Sequence, residues 1–91
     1  MNEIKTYTPE QVAKIVQFHR ANIIVTQIRD NQYHLDKGKH LIVGDSELGI
    51  EIDNDMAKVM KGATMGIYNE AVSLGLKQEI HDIVDFGKTS T

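Results

Sequence analysis

The sequence predicts a small α+β protein in which a helix, a β hairpin and two further helices follow one another. Three observations support this: a proline-started helix near residue 8, a glycine in a polar connection near residue 38, and a long amphipathic pattern after residue 54. The 91 residues are enough for one domain with a modest core. We therefore expect a single domain, 1–91, with one functional part in residues 7–50 and a helical part in residues 54–87.

The first helix has a clear start. Thr8 supplies a capping hydroxyl, Pro9 suits the first helical position, and Gln11 completes a capping box. Apolar residues then follow at helical spacing, namely Val12, Ala13, Ile15 and Val16. The polar run 19–22 predicts a break, so we expect the helix to end near Gln17 or Phe18.

Residues 21–30 allow two interpretations. In one, Ala21 to Asp30 is a second helix whose apolar residues share one face. In the other, the β-branched residues of Asn22 to Arg29 form a strand, and the fold becomes a helix, a three-stranded antiparallel meander and two helices. Periodicity over so few residues does not decide between them.

A hairpin is predicted next. The segments Gln32 to Leu35 and His40 to Val43 flank a four-residue polar connection that contains Gly38. After a turn at residues 44–46, the alternation in residues 47–52 predicts a half-buried strand or an extended arm.

The C-terminal half predicts two amphipathic helices. Asp53 or Asn54 caps a long helix that ends near Gly75. A last helix is expected from Leu76 to Phe86, with Gly87 past its end and residues 88–91 frayed.

Methionines and small residues suggest that the long helix associates with another copy. Methionine adapts to irregular interfaces, and the pair Gly62 and Gly66 would let a second helix approach closely. The predicted oligomer interface comprises Met56, Met60, Ala63 and Ile67.

Composition excludes several classes of site. The chain has no cysteine, so it has neither disulfides nor thiolate zinc ligands. It has no signal-peptide core and no apolar run near the ~20 residues that cross a bilayer, so we expect a soluble cytoplasmic protein.

Two constellations that could carry chemistry are incomplete. Gly44-Asp45-Ser46 resembles the nucleophile block of a serine hydrolase family, but the chain is short and offers no acid and base partners. His34 and His40 with Asp36 lack a third strong metal ligand. We therefore expect no enzyme activity, no metal and no cofactor.

A longer pattern has three parts in order. They are an opening helix from Tyr7 to Ile15, the end of a second helix at residues 27–31, and a wing from Lys37 to Leu48. With this order, residues 7–50 resemble the MerR-like winged helix-turn-helix domains of phage excisionases. The sequence departs from that family at two places: residues 17–20 replace the small residues of the turn, and Asn31 replaces the glycine after the second helix.

The resemblance implies a small DNA-binding regulator of the excisionase or repressor type, which acts as a dimer or higher oligomer on double-stranded DNA. The second helix would lie in the major groove and the wing would meet the backbone or the minor groove. The implied DNA-binding residues are Arg20, Asn22, Thr26 and Gln27 on the helix and Lys37, Lys39 and His40 on the wing.

The charge distribution leaves an alternative open. Residues 1–43 carry six Lys or Arg against four Asp or Glu, and residues 44–91 carry four against nine. This first half is far less basic than a typical nucleic-acid binder, and the acidic second half could meet a basic partner. The alternative is a small phage-type inhibitor or sequestering protein that binds a host protein or a small ligand.

Overall fold

The fold is α+β, with four helices and one two-stranded antiparallel sheet. It is seen in a computed structural model that describes residues 6–44 and 47–89. Within those residues the elements, in chain order, are α1 (Pro9–Asp30), α2 (Gln32–Asp36), β1 (Leu41–Val43), β2 (Ile50–Ile52), α3 (Asn54–Ser73) and α4 (Lys77–Thr89).

Helix α1 is continuous, so the predicted break at residues 19–22 and the predicted strand Asn22 to Arg29 are both wrong. Its start is as predicted, with the Thr8 hydroxyl accepting from the Gln11 N–H and the Gln11 side chain accepting from the Thr8 N–H. The polar run does not end the helix because it contains no glycine or proline, and because His19 and Arg20 lie on the exposed side. The β-branched residues stay helical because Ile24 and Ile28 pack into the core, which overrides their strand propensity.

The expected hairpin of Gln32 to Leu35 with His40 to Val43 is also wrong. The first segment is the short helix α2, which buries Leu35. Gly38, at φ +81°, ends it in a Schellman turn: the Lys39 N–H donates to His34 O (3.0 Å) and the Gly38 N–H donates to Leu35 O (3.0 Å). The glycine therefore caps a helix. Asn31 joins α1 to α2 at φ −120°, outside the left-handed region.

The hairpin that forms lies nine residues further on, so the predicted three-stranded meander is absent from the described residues. Strands β1 and β2 pair in the register Leu41 with Ile52, Ile42 with Glu51, and Val43 with Ile50. Buried Val43 and Ile52 turn towards α1, while Ile42 and Glu51 point outward. Among the described residues of the predicted wing, only 41–43 are strand, and the partner strand β2 begins beyond Leu48.

The two C-terminal helices are confirmed. Asp53 caps α3 by accepting from the Met56 N–H (2.8 Å). A second Schellman turn, with the Leu76 N–H on Ala71 O (3.0 Å), ends α3 near Gly75 as expected. Helix α4 continues through Gly87 to Thr89, beyond the predicted end, and the last two residues of the chain lie outside the described residues.

The core consists of two clusters arranged along α1. The hairpin cluster unites α1, α2, the sheet and the start of α3 through Ile28, Leu35, Val43, Ile52 and Ala57. The α4 cluster unites α1, the end of α3 and α4 through Phe18, Ala71, Leu76 and Ile80. The molecule is accordingly elongated, at 51 × 24 × 22 Å. Among the described residues, no helix is both long and apolar enough to span a membrane.

Candidate interaction surfaces

Several large apolar side chains are exposed on the surface. Within the described ranges, twelve large apolar side chains are exposed, whereas nine apolar residues are fully buried. Single exposed apolar residues are ordinary, but contiguous patches usually mark interaction sites. The arrangement of these residues is therefore the main functional evidence that the chain offers.

One patch covers the outer face of α3, which we call the α3 face. Its N-terminal half is bulky, with Met56 and Val59 exposed and Met60 half-buried. Its C-terminal half is small, with Gly62, Ala63 and Gly66 all exposed. A Cβ atom added to either glycine would meet no atom within 4 Å, so no neighbour inside the chain requires a glycine there.

The four predicted oligomer-interface residues divide between this face and the core. Met56 and Ala63 are exposed, while Met60 packs against the hairpin cluster and Ile67 against the α4 cluster. Met60, Ala63 and Ile67 line an apolar groove of about 160 Å³ between α3 and α1. Sequence periodicity placed all four on one side of α3, whereas in the structure three of them share this groove and Met56 lies outside it.

A second patch runs along the outer side of α1, and we call it the α1 seam. It comprises Val12, Val16, His19 and Ile23, whose spacing of four, three and four residues is that of a coiled-coil seam. All four side chains are exposed. The seam extends about 16 Å, at 1.5 Å per helical residue.

Leu48 stands on one side of Ile23. Arg20, Ile23, Ile24, Gly44 and Leu48 line a shallow pocket of about 270 Å³. The connection from β1 to β2 begins at Gly44, and the Gln27 amide holds it there. The Gln27 Nε2 donates to Gly44 O (2.9 Å), and its Oε1 accepts from the Gly44 N–H (2.8 Å). Gly44 has φ +115°, and a Cβ there would lie 2.8 Å from Leu48 O, which leaves no room for another residue.

Phe86 stands on the other side of Ile23. A groove of about 330 Å³ separates α1 from α4, and Ile23, Ile83 and Phe86 form its apolar part. His19, Asn22, Thr26 and Gln27 form its polar part. Ile23 thus lies in a trough between two largely exposed side chains, Leu48 and Phe86.

The residues predicted to contact DNA from the second helix do not share one surface. Arg20 and Asn22, two residues apart, point about 200° apart around the axis of α1, at 3.6 residues per turn. Asn22 and Thr26 are half-buried and line the groove between α1 and α4. The Gln27 amide is hydrogen-bonded to the backbone of Gly44. Helix α1 brings three of the four to one groove and leaves Arg20 on the other side.

The three predicted wing residues lie together around the connection from α2 to β1. Lys37 holds its ammonium 4.2 Å from the centre of the Tyr33 ring and donates to the Tyr33 hydroxyl. His40 Nδ1 lies 3.6 Å from a Glu51 carboxylate oxygen, and Lys39 is exposed. Glu51 lies beside His40, and Asp36 precedes Lys37 in the sequence, so acidic and basic residues are interspersed in this region.

The described residues offer no metal site, since no group of three or more His, Asp or Glu side chains within them could hold an ion. Asp45 and Ser46, of the hydrolase-like Gly44-Asp45-Ser46 motif, lie outside the described residues.

Five exposed apolar residues were not predicted from the sequence to lie on a functional surface: Val12, Val16, Val59, Leu48 and Phe86. The seam spacing was readable, but the expected break after Phe18 separated Val12 and Val16 from Ile23. No sequence signal indicated that Leu48 and Phe86 would flank Ile23, because that arrangement depends on tertiary packing.

Comparison of the chain with protein-family models, with curated proteins and with solved structures gives no match.

Proposed function

We propose that this protein is a non-enzymatic interaction protein, which assembles with a second copy through the α3 face and acts by binding another macromolecule. The observation that carries the proposal is the number of exposed large apolar side chains in the described residues. Five of the twelve lie on the two helix faces, namely Val12, Val16 and Ile23 on α1 and Met56 and Val59 on α3.

The α3 face is self-complementary. In an antiparallel two-fold pairing, the bulky half of one α3 lies on the small half of the other, so that Val59 meets Ala63 and Met56 meets Gly66 of the second copy. A two-fold axis repeats each contact, so one favourable pair counts twice.

The exposed glycines support the same pairing. A glycine inside a helix costs about 0.5–1 kcal/mol relative to alanine, and no intrachain contact explains Gly62 or Gly66. A closely packed second helix would explain both.

The DNA-binding function implied by the excisionase resemblance has weaker support. Its winged arrangement needs a turn between two helices where α1 is continuous, and its candidate side chains point in different directions. Lys37 and Lys39 are the residues that most favour it, and the neighbouring His40 lies beside the Glu51 carboxylate.

A pair of matched variants tests the proposal. Val59 is 73% exposed on the α3 face and Ile42 is 70% exposed on the outer side of the hairpin, so an aspartate at either position leaves the core intact. In sedimentation equilibrium, Val59→Asp should lower the assembly mass and Ile42→Asp should not. Equal masses for wild type and Val59→Asp would remove the α3 face from the account.

A DNA titration separates the two functions. We measure the affinity for random-sequence duplex DNA at two salt concentrations, and we expect no binding that depends on salt. Tight binding that weakens steeply with salt, and that Arg20→Ala and Lys39→Ala reduce, would favour the regulator instead.

A further inference from the structure

We propose that the groove between α1 and α4 binds an extended peptide segment of another protein, through the backbone of that segment and an apolar side chain. We call this feature the α1–α4 groove, and its volume is about 330 Å³. The inference rests on the proposed function and deepens it, because it names the class of macromolecule that the protein binds. It concerns a surface separate from the α3 face, so the two surfaces can be tested apart.

The two walls of the α1–α4 groove are unlike. Phe18, Asn22 and Thr26 follow one another at steps of four residues along the side of α1 that faces α4. Phe18 is buried in the α4 cluster, whereas Asn22 and Thr26 are half-buried in the groove. The opposite wall stays apolar, with Ile83 and Phe86 of α4. A ligand that fits both walls therefore presents hydrogen-bonding groups on one side and apolar surface on the other.

The polar wall holds hydrogen-bonding groups that the fold does not use. Gln27 shares this wall, and both ends of its amide are hydrogen-bonded to Gly44. By contrast, the Asn22 amide and the Thr26 hydroxyl form no hydrogen bond with another described residue. A threonine inside a helix often donates to the carbonyl four residues earlier, as Thr64 does on α3. Asn22 and Thr26 are therefore both available to a ligand.

The spacing of these two side chains fits an extended backbone. Four residues of α1 span about 6.0 Å along the helix axis, at 1.5 Å per residue. Alternate residues of an extended chain lie about 6.6–6.8 Å apart and turn their backbone N–H and C=O groups to the same side. The Asn22 amide both donates and accepts, so it can pair with the N–H and C=O of one peptide residue. Thr26 then lies beside the next residue but one, and the side chains of the peptide meet Ile23, Ile83 and Phe86.

Charge specifies the segment further. Among the described residues, no Lys, Arg, Asp or Glu side chain lines the groove, so the part of the peptide that enters it is uncharged. Asp82 is exposed one turn before Phe86 on α4, so its carboxylate lies beside the apolar wall. The chain as a whole carries a net charge of −3. A lysine or arginine next to the apolar residue of the peptide is therefore favoured, and an acidic segment is disfavoured.

Selection from a random peptide library displayed on phage tests the groove, with the full chain as the immobilised target. We expect peptides that share an apolar residue next to a lysine or arginine. A selected peptide, once synthesised, should shift the backbone amide signals of residues 19–27 and 83–86 in a nitrogen–proton correlation spectrum. Shifts confined to other parts of the chain, or a library that yields no binding peptide, would overturn the inference.

Two substitutions test the two walls separately with the selected peptide. Asn22→Ala should raise its Kd about 2–10-fold, because neutral hydrogen bonds are lost. Phe86→Ala should raise the Kd about tenfold or more, because an aromatic side chain no longer covers the peptide. Asn69→Ala is the matched control, since Asn69 is an exposed asparagine inside α3 and does not line the groove. A Kd that is the same for wild type and for both groove variants would contradict the proposed binding mode.

The groove and the α3 face can fail independently. Val59→Asp alters only the α3 face, so the selected peptide should bind this variant with an unchanged Kd. If Val59→Asp lowers the assembly mass and no peptide binds the groove, only the present inference fails. If the peptide binds the groove and the mass does not change, only the α3 face fails. Phe86→Asp should leave the mass in sedimentation equilibrium unchanged, and a lower mass would assign the groove to a second copy instead of a peptide.

Discussion

Ile28 and Ile23 occupy one helix, five residues apart, and serve opposite purposes. Ile28 is 0% exposed in the hairpin cluster, whereas Ile23 is 44% exposed at the C-terminal end of the α1 seam. Both belong to the same β-branched segment, and the sequence alone does not tell them apart. The comparison shows that one short segment of a helix can place identical side chains both in the core and on the exposed surface.

The largest expected effect is a loss of stability when the buried residue Ile28 is truncated. Ile28→Ala should lower the free energy of unfolding by about 2–5 kcal/mol, because it removes three methyl-sized groups from a fully packed site. Ile23→Ala should cost less than about 1 kcal/mol at a protein concentration where the chain is monomeric. Chemical denaturation measures both, and equal losses would mean that Ile23 belongs to the core.

The loop that presents Leu48 gives the next effect. Gln27→Leu leaves both backbone groups of Gly44 without their amide partner, which should cost about 1–3 kcal/mol of unfolding free energy. The control is Gln78→Leu, because Gln78 is exposed and its amide donates to the Asp82 carboxylate on the same helix face. If both variants lost the same stability, the anchoring role of Gln27 would be refuted.

A smaller effect separates folding from assembly on the α3 face. Gly66→Ala should stabilise the monomer by about 0.5–1 kcal/mol, because alanine is the better helix former and the added Cβ meets open space. Gly66→Leu should also fold, yet it should weaken association by filling the place of Met56 from the second copy. Thermal melts and sedimentation of the same samples check both statements. A Gly66→Leu protein that assembled as well as wild type would show that the two α3 helices do not pack closely.

The smallest effect is expected from a polar link across the molecule. Lys14 of α1 pairs with Glu70 of α3, and the Glu70 side chain is largely exposed to water. Lys14→Met should therefore change the free energy of unfolding by no more than about 1 kcal/mol in a denaturant titration. A loss comparable to that of Ile28→Ala would show that charge, and not apolar burial, holds α1 against α3.

Local signals predicted the parts of the fold that depend on local physics. The capping box at Thr8, the cap at Asp53 and the two C-terminal helices all depend on signals within a few residues. These predictions were correct, except that α4 continues past its predicted end to Thr89. The errors arose where a local signal has two meanings. Gly38 suits a hairpin turn and a helix end equally, and the hairpin cluster decides between them by burying Leu35.

The candidate surfaces were less accessible to sequence reasoning than the fold. Met56 and Ala63 were predicted as interface residues because helical periodicity is visible in the sequence. Both are exposed on the α3 face. The trough around Ile23 was not predicted, because it joins α1 to a loop and to α4, far apart in sequence. The two hydrogen bonds between the Gln27 amide and Gly44 were not predicted either, because no sequence pattern signals them.

The most direct test of the central claim is the mass of the unmodified protein in solution, measured by sedimentation equilibrium over a wide range of concentrations. Pairing of two α3 faces predicts a mass that rises with concentration towards twice the chain mass of 10.2 kDa. A mass that stayed at 10.2 kDa at every concentration would contradict it.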